Sequence, residues 1–315
     1  MTDNRMKLIS VVTPCFNEEE NIEDVYTKVK HEFEQLQNYQ YEHIFIDNSS
    51  QDRTVSILRD IAQKDKKVKI IVNARNFGFV RSSYYGLLQA YGDAVIFLLA
   101  DLQDPPSMIA TFIQEWEQGH KVVQGVRTSS KESFLLFTVK RLYYYVLNQL
   151  SDIQLTRNTT GFGLYDKQVM DMLRQIDDPY PYFKGLISEL GFDSKKIQYV
   201  SAARKRGVSS ANFLMLYDFA MLGITSHSKL PLRLATITGF FMALLSLLIS
   251  LGYLIYKLLY WDLFPVGTAS LLVGIFFIGS VQLFFIGILG EYIGFMHTQI
   301  LKRPIVIERE RINFK

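Results

Sequence analysis

Acidic and amide side chains follow four successive apolar segments in the first third of the sequence. They are Asn17-Glu18, Asp47-Asn48, the stretch 73–78 and Asp101 to Asp104. One polar strand end needs no function, because a strand must turn somewhere. Four in succession favour a binding site, since ligands of open α/β sheets bind beside the carboxyl ends of the strands.

The segment "VIFLLADLQDPP", residues 95–106, shows this arrangement most sharply. An apolar run leads into Asp101 and Asp104, and Pro105-Pro106 follows at once. Proline cannot donate to a strand ladder but is well suited to the first turn of a helix. The pattern predicts that a buried strand carries Asp101 to the crevice and then ends. The alternative is a strand cap with no further role.

Elements that could position these side chains alternate along residues 1–130. Short runs rich in Val and Ile are separated by stretches with helical spacing, which predicts an α/β fold with a mostly parallel sheet buried on both faces. The predicted strands are residues 8–14, 42–47, 67–72, 94–101 and 120–126.

Several other kinds of site are disfavoured by the sequence. Neither G-x-G-x-x-G nor G-x-x-x-x-G-K-[ST] occurs, so a bound nucleotide diphosphate would need a metal ion and basic side chains to balance its charge. The five histidines lack zinc-ligand spacing. The single cysteine, Cys15, excludes an intramolecular disulfide, and the net charge of +3 is too small to indicate nucleic acid as a partner.

Two uncharged stretches near the end of the chain predict a transmembrane hairpin. Neither Leu234 to Tyr256 nor Leu263 to Gly290 contains a charged residue. At about 1.5 Å per residue, each stretch crosses a hydrocarbon core of roughly 30 Å. Core helices of a soluble domain are the alternative, but such helices seldom run so far without a charge. Small and aromatic residues on the spans are compatible with a homo-oligomer.

Basic residues beside the spans predict their orientation. Lys229 and Arg233 precede the first span, Lys302 and Arg303 follow the second, and only Lys257 lies between them. This asymmetry places both chain ends in the cytoplasm. The start of the sequence shows no long apolar signal segment, so we expect a multi-pass protein of the inner membrane with its large domain cytoplasmic.

Two amphipathic, aromatic segments lie outside the predicted strands and spans. We expect residues 211–230 to lie at the membrane surface, and for 131–150 we leave both that surface and packing against the soluble domain open. The predicted organisation is a nucleotide-binding domain over 1–210, a juxtamembrane helix over 211–230, transmembrane helices over 231–260 and 263–298, and a cytoplasmic tail over 299–315.

Five segments together resemble family 2 glycosyltransferases. They are "SVVTPCFNEEENI", "IDNSSQDRT", "NARNFGFVRSSYYG", "ADLQDPP" and the terminal "ILGEYIG…KRP". The nearest resemblance is to the polyprenyl-phosphate glycosyltransferases, which include dolichol-phosphate-mannose synthase and GtrB-like bacterial enzymes. It implies a GT-A fold and transfer of one sugar from a nucleotide sugar to the phosphate of a membrane lipid.

The resemblance also implies roles for individual residues. Nucleotide-binding residues would be Pro14, Phe16, Asn17 and Glu18 around the base and ribose, and Asp47 at the nucleobase with Asn48 beside it. Asp101 and Gln103 would coordinate Mg²⁺ or Mn²⁺ on the donor diphosphate. Arg204 and Arg206, in "RKRGVSS", would contact the acceptor and the diphosphate. Asp101, Arg204 and Arg206 are the predicted catalytic residues.

Three segments depart from the family pattern. The usual D-x-D reads Leu99-Ala100-Asp101, which removes one acid from the metal site. The usual Asp-Asp-Gly-Ser reads Asp47 to Ser50 as D-N-S-S. The usual G-D-F-R-L reads T-G-F-G-L over residues 160–164, which leaves the role of Asp166 open.

If the acceptor is a phosphate, the reaction needs no acidic side chain as a general base. An alcohol needs a general base, whereas a phosphate monoester with a second pKa of about 6 arrives largely as a dianion. A single in-line attack should invert the anomeric configuration. The resemblance to GtrB-like enzymes favours UDP-glucose as the donor, with GDP-mannose, UDP-N-acetylglucosamine and UDP-4-amino-4-deoxyarabinose as rivals. A processive polysaccharide synthase, a non-catalytic membrane scaffold and a transporter are the alternative functions.

Overall fold

A computed structural model describes residues 5–128, 159–201, 221–226, 228–259 and 268–314. The predicted catalytic residues Arg204 and Arg206 and the amphipathic segment 131–150 lie outside these ranges.

Eight strands form one mixed sheet in the order β7-β5-β6-β4-β1-β2-β3-β8. Strands β4, β1, β2 and β3 run parallel to one another, as do β5 and β7, whereas β6 is antiparallel to both of its neighbours and β8 is antiparallel to β3. This confirms the α/β fold with a mostly parallel sheet. The strands are β1 (Lys7–Cys15), β2 (Tyr39–Asp47), β3 (Val68–Asn73), β4 (Ala94–Phe97), β5 (Val122–Arg127), β6 (Gly163–Asp166), β7 (Ser194–Tyr199) and β8 (Glu308–Ile312).

Helices cover both faces of the sheet, so successive strand residues are buried on opposite sides. In β1, Val11 belongs to the core under α1, α2 and α4, whereas Val12 belongs to the core under α3 and the helices that follow β6. Burial on both faces explains the Val- and Ile-rich strands. The helices are α1 (Ile22–Gln35), α2 (Thr54–Lys64), α3 (Phe79–Leu88), α4 (Met108–Glu117), α5 (Lys167–Gln175) and α6 (Phe183–Glu189).

Strand β4 is shorter than the sequence suggested. It ends at Phe97, so Asp101 lies in the following turn and not on the strand, contrary to the prediction for residues 94–101. Leu98 still donates its backbone N–H to the Val12 carbonyl at 3.0 Å. Beyond it, Leu102 adopts a positive φ of 56°, a conformation that no strand residue holds.

Two long apolar helices follow the sheet domain. They are α7 (Leu230–Leu259) and α8 (Thr268–Ile300), and each contains a segment long and apolar enough to cross a membrane. Their apolar side chains are largely exposed, unlike those of a core helix, which agrees with the predicted two-helix hairpin.

The chain after α8 returns to the sheet. Residues 299–315 were given as a tail, and no strand was predicted there, yet β8 pairs with the free edge of β3. Ile312 packs against the core, and the Asn313 amide donates to the carbonyls of Ala62 and Val68 at 2.8 Å each. The end of the second apolar helix is thus tied directly to the sheet domain.

The described end of the segment 211–230 packs against protein through Leu222, and its position at the membrane surface stays a prediction. Residues 221–226 are helical, and Leu222 is buried beside Tyr182, with Val80 and Phe295 of α8 around them.

Candidate active site

The carboxyl ends of β1, β2 and β3 meet at one edge of the sheet. Asn48 donates its backbone N–H to the Cys15 carbonyl at 2.9 Å, which joins the ends of β1 and β2. Asn73, the last residue of β3, donates its side-chain amide to Asn48 Oδ1 at 3.2 Å. Three of the four predicted polar strand ends therefore lie together, and β4 lies on the other side of β1.

The loop after β1 is fastened to the loop after β2. Asn17, with φ of 54°, donates its backbone N–H to Ser50 Oγ at 2.8 Å and accepts from Gln51 N at Oδ1, also at 2.8 Å. Asn tolerates this left-handed conformation better than most residues. Glu18 donates its N–H to Thr54 Oγ1 at 2.9 Å. Asn17 is thus a loop-to-loop link with its side-chain oxygen already engaged.

The remaining residues predicted to line the base pocket differ in accessibility. Pro14 is buried in β1, opposite Ile46 of β2, beyond the part of β1 that pairs with β4, so its missing N–H breaks no bond to β4. Phe16 is half-buried. Glu18 Oε2 accepts from the Asn21 amide at 2.6 Å. Phe16 and Glu18 are thus the more accessible members of this group.

Asp47 is fully buried, and Ser50 is the main hydrogen-bond partner of its carboxylate. Its oxygens accept from Ser50 N at 3.0 Å and Ser50 Oγ at 2.5 Å. Burial raises the pKa of Asp47, although the bonds from Ser50 and the charge of Arg309 oppose that shift. Ser49, at φ 66°, stands where the family pattern has glycine, which explains that pattern and marks a strained turn here.

Asn48 joins the β2 loop to the loop after β3. Its Oδ1 accepts from Phe77 N at 2.9 Å as well as from Asn73, and its Nδ2 donates to Asn76 Oδ1 at 2.8 Å. A carboxylate could not make the last bond, because it has no hydrogen to donate. The departure from the second aspartate of the family pattern therefore has a structural reason.

The turn after β4 presents Asp101 and Gln103. Asp101 is partly exposed, and its Oδ1 accepts from Gln103 N at 3.1 Å. Ser201 donates its hydroxyl to the Gln103 carbonyl at 3.2 Å, so the chain leading to Arg204 starts against this turn. The structure brings the two predicted metal ligands into one turn.

Asp104, the other acid of this turn, is buried in a hydrogen-bonded cluster. Its Oδ1 accepts from Arg127 Nη2 at 2.8 Å and from the Tyr199 hydroxyl, and its Oδ2 accepts from Thr160 Oγ1 at 3.0 Å. Burial disfavours the charge on Arg127, but Asp104 and Tyr199 outweigh it and raise the pKa of Arg127. Asp104 thus fixes the shape of the turn that carries Asp101.

The segment T-G-F-G-L supports this cluster and supplies no acid. Thr160 binds Asp104, and the Phe162 ring lies 5.5 Å from the Tyr199 ring. A Cβ on Gly163 would lie 2.3 Å from the Val123 carbonyl oxygen, so only glycine fits there. Asp166 accepts from Trp116 Nε1 at 2.7 Å and from Gln168 N at 2.9 Å, and acts as the N-cap of α5.

The donor set for a metal ion is small. Within the described ranges, no three His, Cys, Asp or Glu residues are grouped closely enough to hold an ion. Asp101 with the Gln103 side chain still fits Mg²⁺, because this ion keeps several waters and often takes only one or two carboxylates besides substrate phosphates. A metal at this turn would therefore depend on the diphosphate for part of its coordination.

A cavity of about 350 Å³ lies at the opposite edge of the sheet and does not compete as the active site. Most of its charged lining is already paired, with Arg5 2.7 Å from Asp93 and Lys7 2.7 Å from Glu117. It lies where β1 and β4 begin, away from the carboxyl ends of the strands where ligands of such sheets bind.

Sequence reasoning missed four residues near the site: Arg127, Thr160, Tyr199 and Arg309. The first three surround Asp104, and Arg309 lies in β8 near enough to Asp47 to affect its pKa. The one local signal was the strand "HKVVQGV", whose next residue is Arg127 and whose carboxyl end faces the same way as the others. Nothing in the sequence marked Tyr199 or Arg309.

Comparisons with known proteins agree with this architecture. The glycosyl transferase family 2 model matches residues 10–173. The SfII prophage-derived bactoprenol glucosyl transferase of Shigella flexneri is 37% identical over 298 residues, covering 94% of this chain and 96% of the relative. The uncharacterized glycosyltransferase YkcC of Bacillus subtilis is 33% identical over 299 residues, covering 95% and 92%.

One solved structure shows how far the likeness extends in three dimensions. The mannosyltransferase PcManGT of Pyrobaculum calidifontis, in complex with GDP-Man and Mn²⁺, has a TM-score of 0.47 at 11% identity, covering 95% of this chain and 87% of that one. So loose a superposition supports no conclusion about ligands. The sequence match and the mostly parallel sheet confirm the GT-A-like fold, and the chain belongs to glycosyl transferase family 2.

Proposed function

We propose that the protein transfers a single sugar from a nucleotide sugar, with UDP-glucose as the favoured donor, to a polyprenyl phosphate. The observation that carries this proposal is a polar crevice tied by β8 to two exposed apolar helices. The near full-length similarity to proteins named bactoprenol glucosyl transferase supports the lipid acceptor and the glucosyl group.

The acceptor phosphate acts as its own nucleophile. With a second pKa of about 6, a phosphate monoester is largely a dianion at neutral pH and has no proton to lose. The burial of Asp104 supports this view, because the second acid of the turn is engaged by Arg127 and is not placed to act as a base. One in-line attack on the anomeric carbon inverts its configuration.

The residues of this chain must position two anions close together. At roughly 4 Å, two unit charges repel by about 4 kcal/mol at an effective dielectric of 20. Arg204 and Arg206 are proposed to contact the acceptor phosphate and the leaving diphosphate, where a guanidinium can bind in a bidentate manner. Asp101 and Gln103 would hold Mg²⁺ or Mn²⁺, which supplies positive charge to the diphosphate when bound.

The membrane helices bring this crevice to its substrate. Each buried CH₂ of a polyprenyl chain is worth about 0.8 kcal/mol, so the lipid does not leave the bilayer and the enzyme must work at its surface. The Gln299 amide donates to Asp178 at 2.8 Å, and the Tyr292 hydroxyl donates to the Ser228 carbonyl at 2.6 Å. The first bond holds α8 against the sheet domain, which we place on the cytoplasmic face of the inner membrane, and the second joins α8 to the residues just before α7.

A transfer assay tests this function. Purified protein in bilayer discs is given polyprenyl phosphate, Mg²⁺ or Mn²⁺ and, in separate reactions, radiolabelled UDP-glucose, GDP-mannose or UDP-N-acetylglucosamine. We expect one sugar per lipid, with inverted anomeric configuration and the highest rate for UDP-glucose. A polymeric product would instead identify a processive synthase, and no lipid-linked product from any donor would contradict the proposal.

A non-catalytic scaffold is the second candidate, and Leu99 is the observation that favours it. Leu99 replaces the first acid of the usual D-x-D and packs, partly buried, against the core. Calorimetry separates the two functions: a scaffold binds a nucleotide sugar with Mg²⁺ present but forms no product with any polyprenyl phosphate.

A further inference from the structure

Three arginines converge where the sheet domain meets the end of α8. Arg75 follows β3, Arg81 lies in the first turn of α3, and Arg303 follows α8. Two of them make cation–π contacts with the Phe77 ring: the Arg75 guanidinium lies 4.1 Å and the Arg81 guanidinium 5.2 Å from its centroid. Two cations stacked on one aromatic ring form a compact, oriented basic site.

Arg81 is held in place by one hydrogen bond, but another of its N–H groups has no acceptor among the described residues. Its Nη2 donates to the Pro304 carbonyl at 2.6 Å, which brings the neighbouring Arg303 to the site. Its Nε is buried and has no hydrogen-bond partner among the described residues. Burial lowers the pKa of Arg81, and the charges of Arg75 and Arg303 lower it further. A negatively charged ligand would relieve this mutual repulsion.

No carboxylate of the described chain balances these three charges. Other cations of the same region are paired: Lys302 lies 3.6 Å from Asp177, and Arg311 binds Glu308. None of Arg75, Arg81 and Arg303 forms an ion pair with a described Asp or Glu, so the cluster keeps a local excess of positive charge.

Apolar residues around the cluster place it at the level of lipid headgroups. Phe79, beside Arg81 at the start of α3, is 51% exposed, and Ile300, the last residue of α8, is 77% exposed. Phe295 of α8 packs in the same small cluster as Val80 of α3. The end of a membrane-crossing helix is where lipid phosphates lie, and cations near it attract anionic lipids.

We propose that Arg75, Arg81 and Arg303 bind the phosphate of an anionic phospholipid headgroup and so hold the sheet domain against the membrane. Guanidinium groups bind phosphate oxygens in bidentate pairs, and the buried Nε of Arg81 gains the acceptor it lacks. The proposal rests on the membrane placement given above but not on the transfer reaction.

A binding experiment tests this site on the full-length protein. Native mass spectrometry of detergent-purified protein measures retention of a short-chain phosphatidylglycerol, with phosphatidylcholine of the same chain length as reference. We expect preference for phosphatidylglycerol, weakened about tenfold by Arg81→Gln and by Arg303→Gln. Lys302→Gln is the matched control, because it removes the adjacent charge that is already paired, and it should leave the preference unchanged.

Additional arms identify the source of the phosphate and guard against misfolding. Inorganic phosphate and UDP-glucose are titrated against the same variants, and the thermal midpoint of each variant is measured. Equal retention of both lipids by the parent protein would overturn the proposal. The proposal would also be overturned if Arg303→Gln lost binding of inorganic phosphate or of UDP-glucose but still retained phosphatidylglycerol as the parent does. If Arg81→Gln fails to fold, Arg303→Gln, on an exposed residue, carries the test. Because lipid retention requires no turnover, its result is independent of the transfer assay.

Discussion

The crevice has two sides, the ends of β1, β2 and β3 and the turn after β4, and their acidic and amide side chains differ in burial and in hydrogen bonding. At the ends of β1, β2 and β3, the amide of Asn48 is engaged by the loop after β3, and the carboxylate of Asp47 is engaged by Ser50 of its own loop. In the turn after β4, Asp101 is partly exposed, whereas Asp104, three residues later, is buried against Arg127. An acid at a strand end is therefore not enough to identify a ligand-binding residue; its burial and hydrogen-bond partners distinguish scaffold from site.

The largest effect on folding is expected at Asp104. Asp104→Asn removes the buried charge that neutralises partly buried Arg127, which should cost about 3 kcal/mol of unfolding free energy. The measurement is the thermal midpoint of the purified protein. Asp60→Asn, an exposed aspartate on α2, serves as control and should change little.

A double variant separates the lost pair from other damage. Asp104→Asn combined with Arg127→Gln should destabilise the protein by less than the sum of the two single changes, since the second removes the unbalanced charge. Strict additivity would show that the ion pair does not hold the turn.

Asn48→Asp probes the opposite wall and restores the family pattern. The new carboxylate cannot donate to Asn76 Oδ1 and buries a charge, so we expect a loss of about 1–3 kcal/mol in stability. Thermal denaturation with and without UDP-glucose measures it. An unchanged midpoint would mean that the donated hydrogen bond does not matter to the loop.

An effect of similar size is expected from the tail. Asn313→Ala removes two hydrogen bonds to the carbonyls of Ala62 and Val68 and should cost about 1–3 kcal/mol, loosening β8 from β3. Hydrogen exchange of the β3 amides reports this directly. Arg309→Ala, an exposed change in the same strand, should leave β3 exchange as it is in the parent.

The smallest effect is a pH dependence from His43. Burial lowers the pKa of His43 to about 3, so the folded state keeps it neutral while the unfolded state binds a proton below a pKa of about 6.5. The contribution of His43 to the free energy of unfolding is therefore constant above pH 6.5 and falls as the pH is lowered towards 3. At pH 5.5 the loss is about 1.4 kcal/mol. The thermal midpoint is measured at pH 7.5 and at pH 5.5. The fall in midpoint that is due to His43 should be absent in His43→Gln and should remain in His31→Gln, which changes an exposed histidine.

Local pattern was enough to predict the repeating strands, the polar strand ends and the two apolar helices. It was not enough for Asp104, because its partners Arg127, Thr160 and Tyr199 lie 23, 56 and 95 positions away in sequence. Strand β8 was not predicted because its sequence, "ERERI", has four charged residues and does not show the alternating apolar residues that indicate a strand. The early end of β4 was not predicted either, because the apolar run continues to Ala100 and Leu102 takes a positive φ that its residue type does not indicate.

Substitution of Asp101, the partly exposed acid of the β4 turn, tests the central claim most directly. Rates of sugar transfer to polyprenyl phosphate are compared for the parent, Asp101→Asn and the control Asp60→Asn, together with their thermal midpoints. We expect Asp101→Asn to lose at least about 100-fold in rate at an unchanged midpoint, because it removes the carboxylate proposed to organise charge on the diphosphate. Transfer by Asp101→Asn at the parental rate would contradict the account.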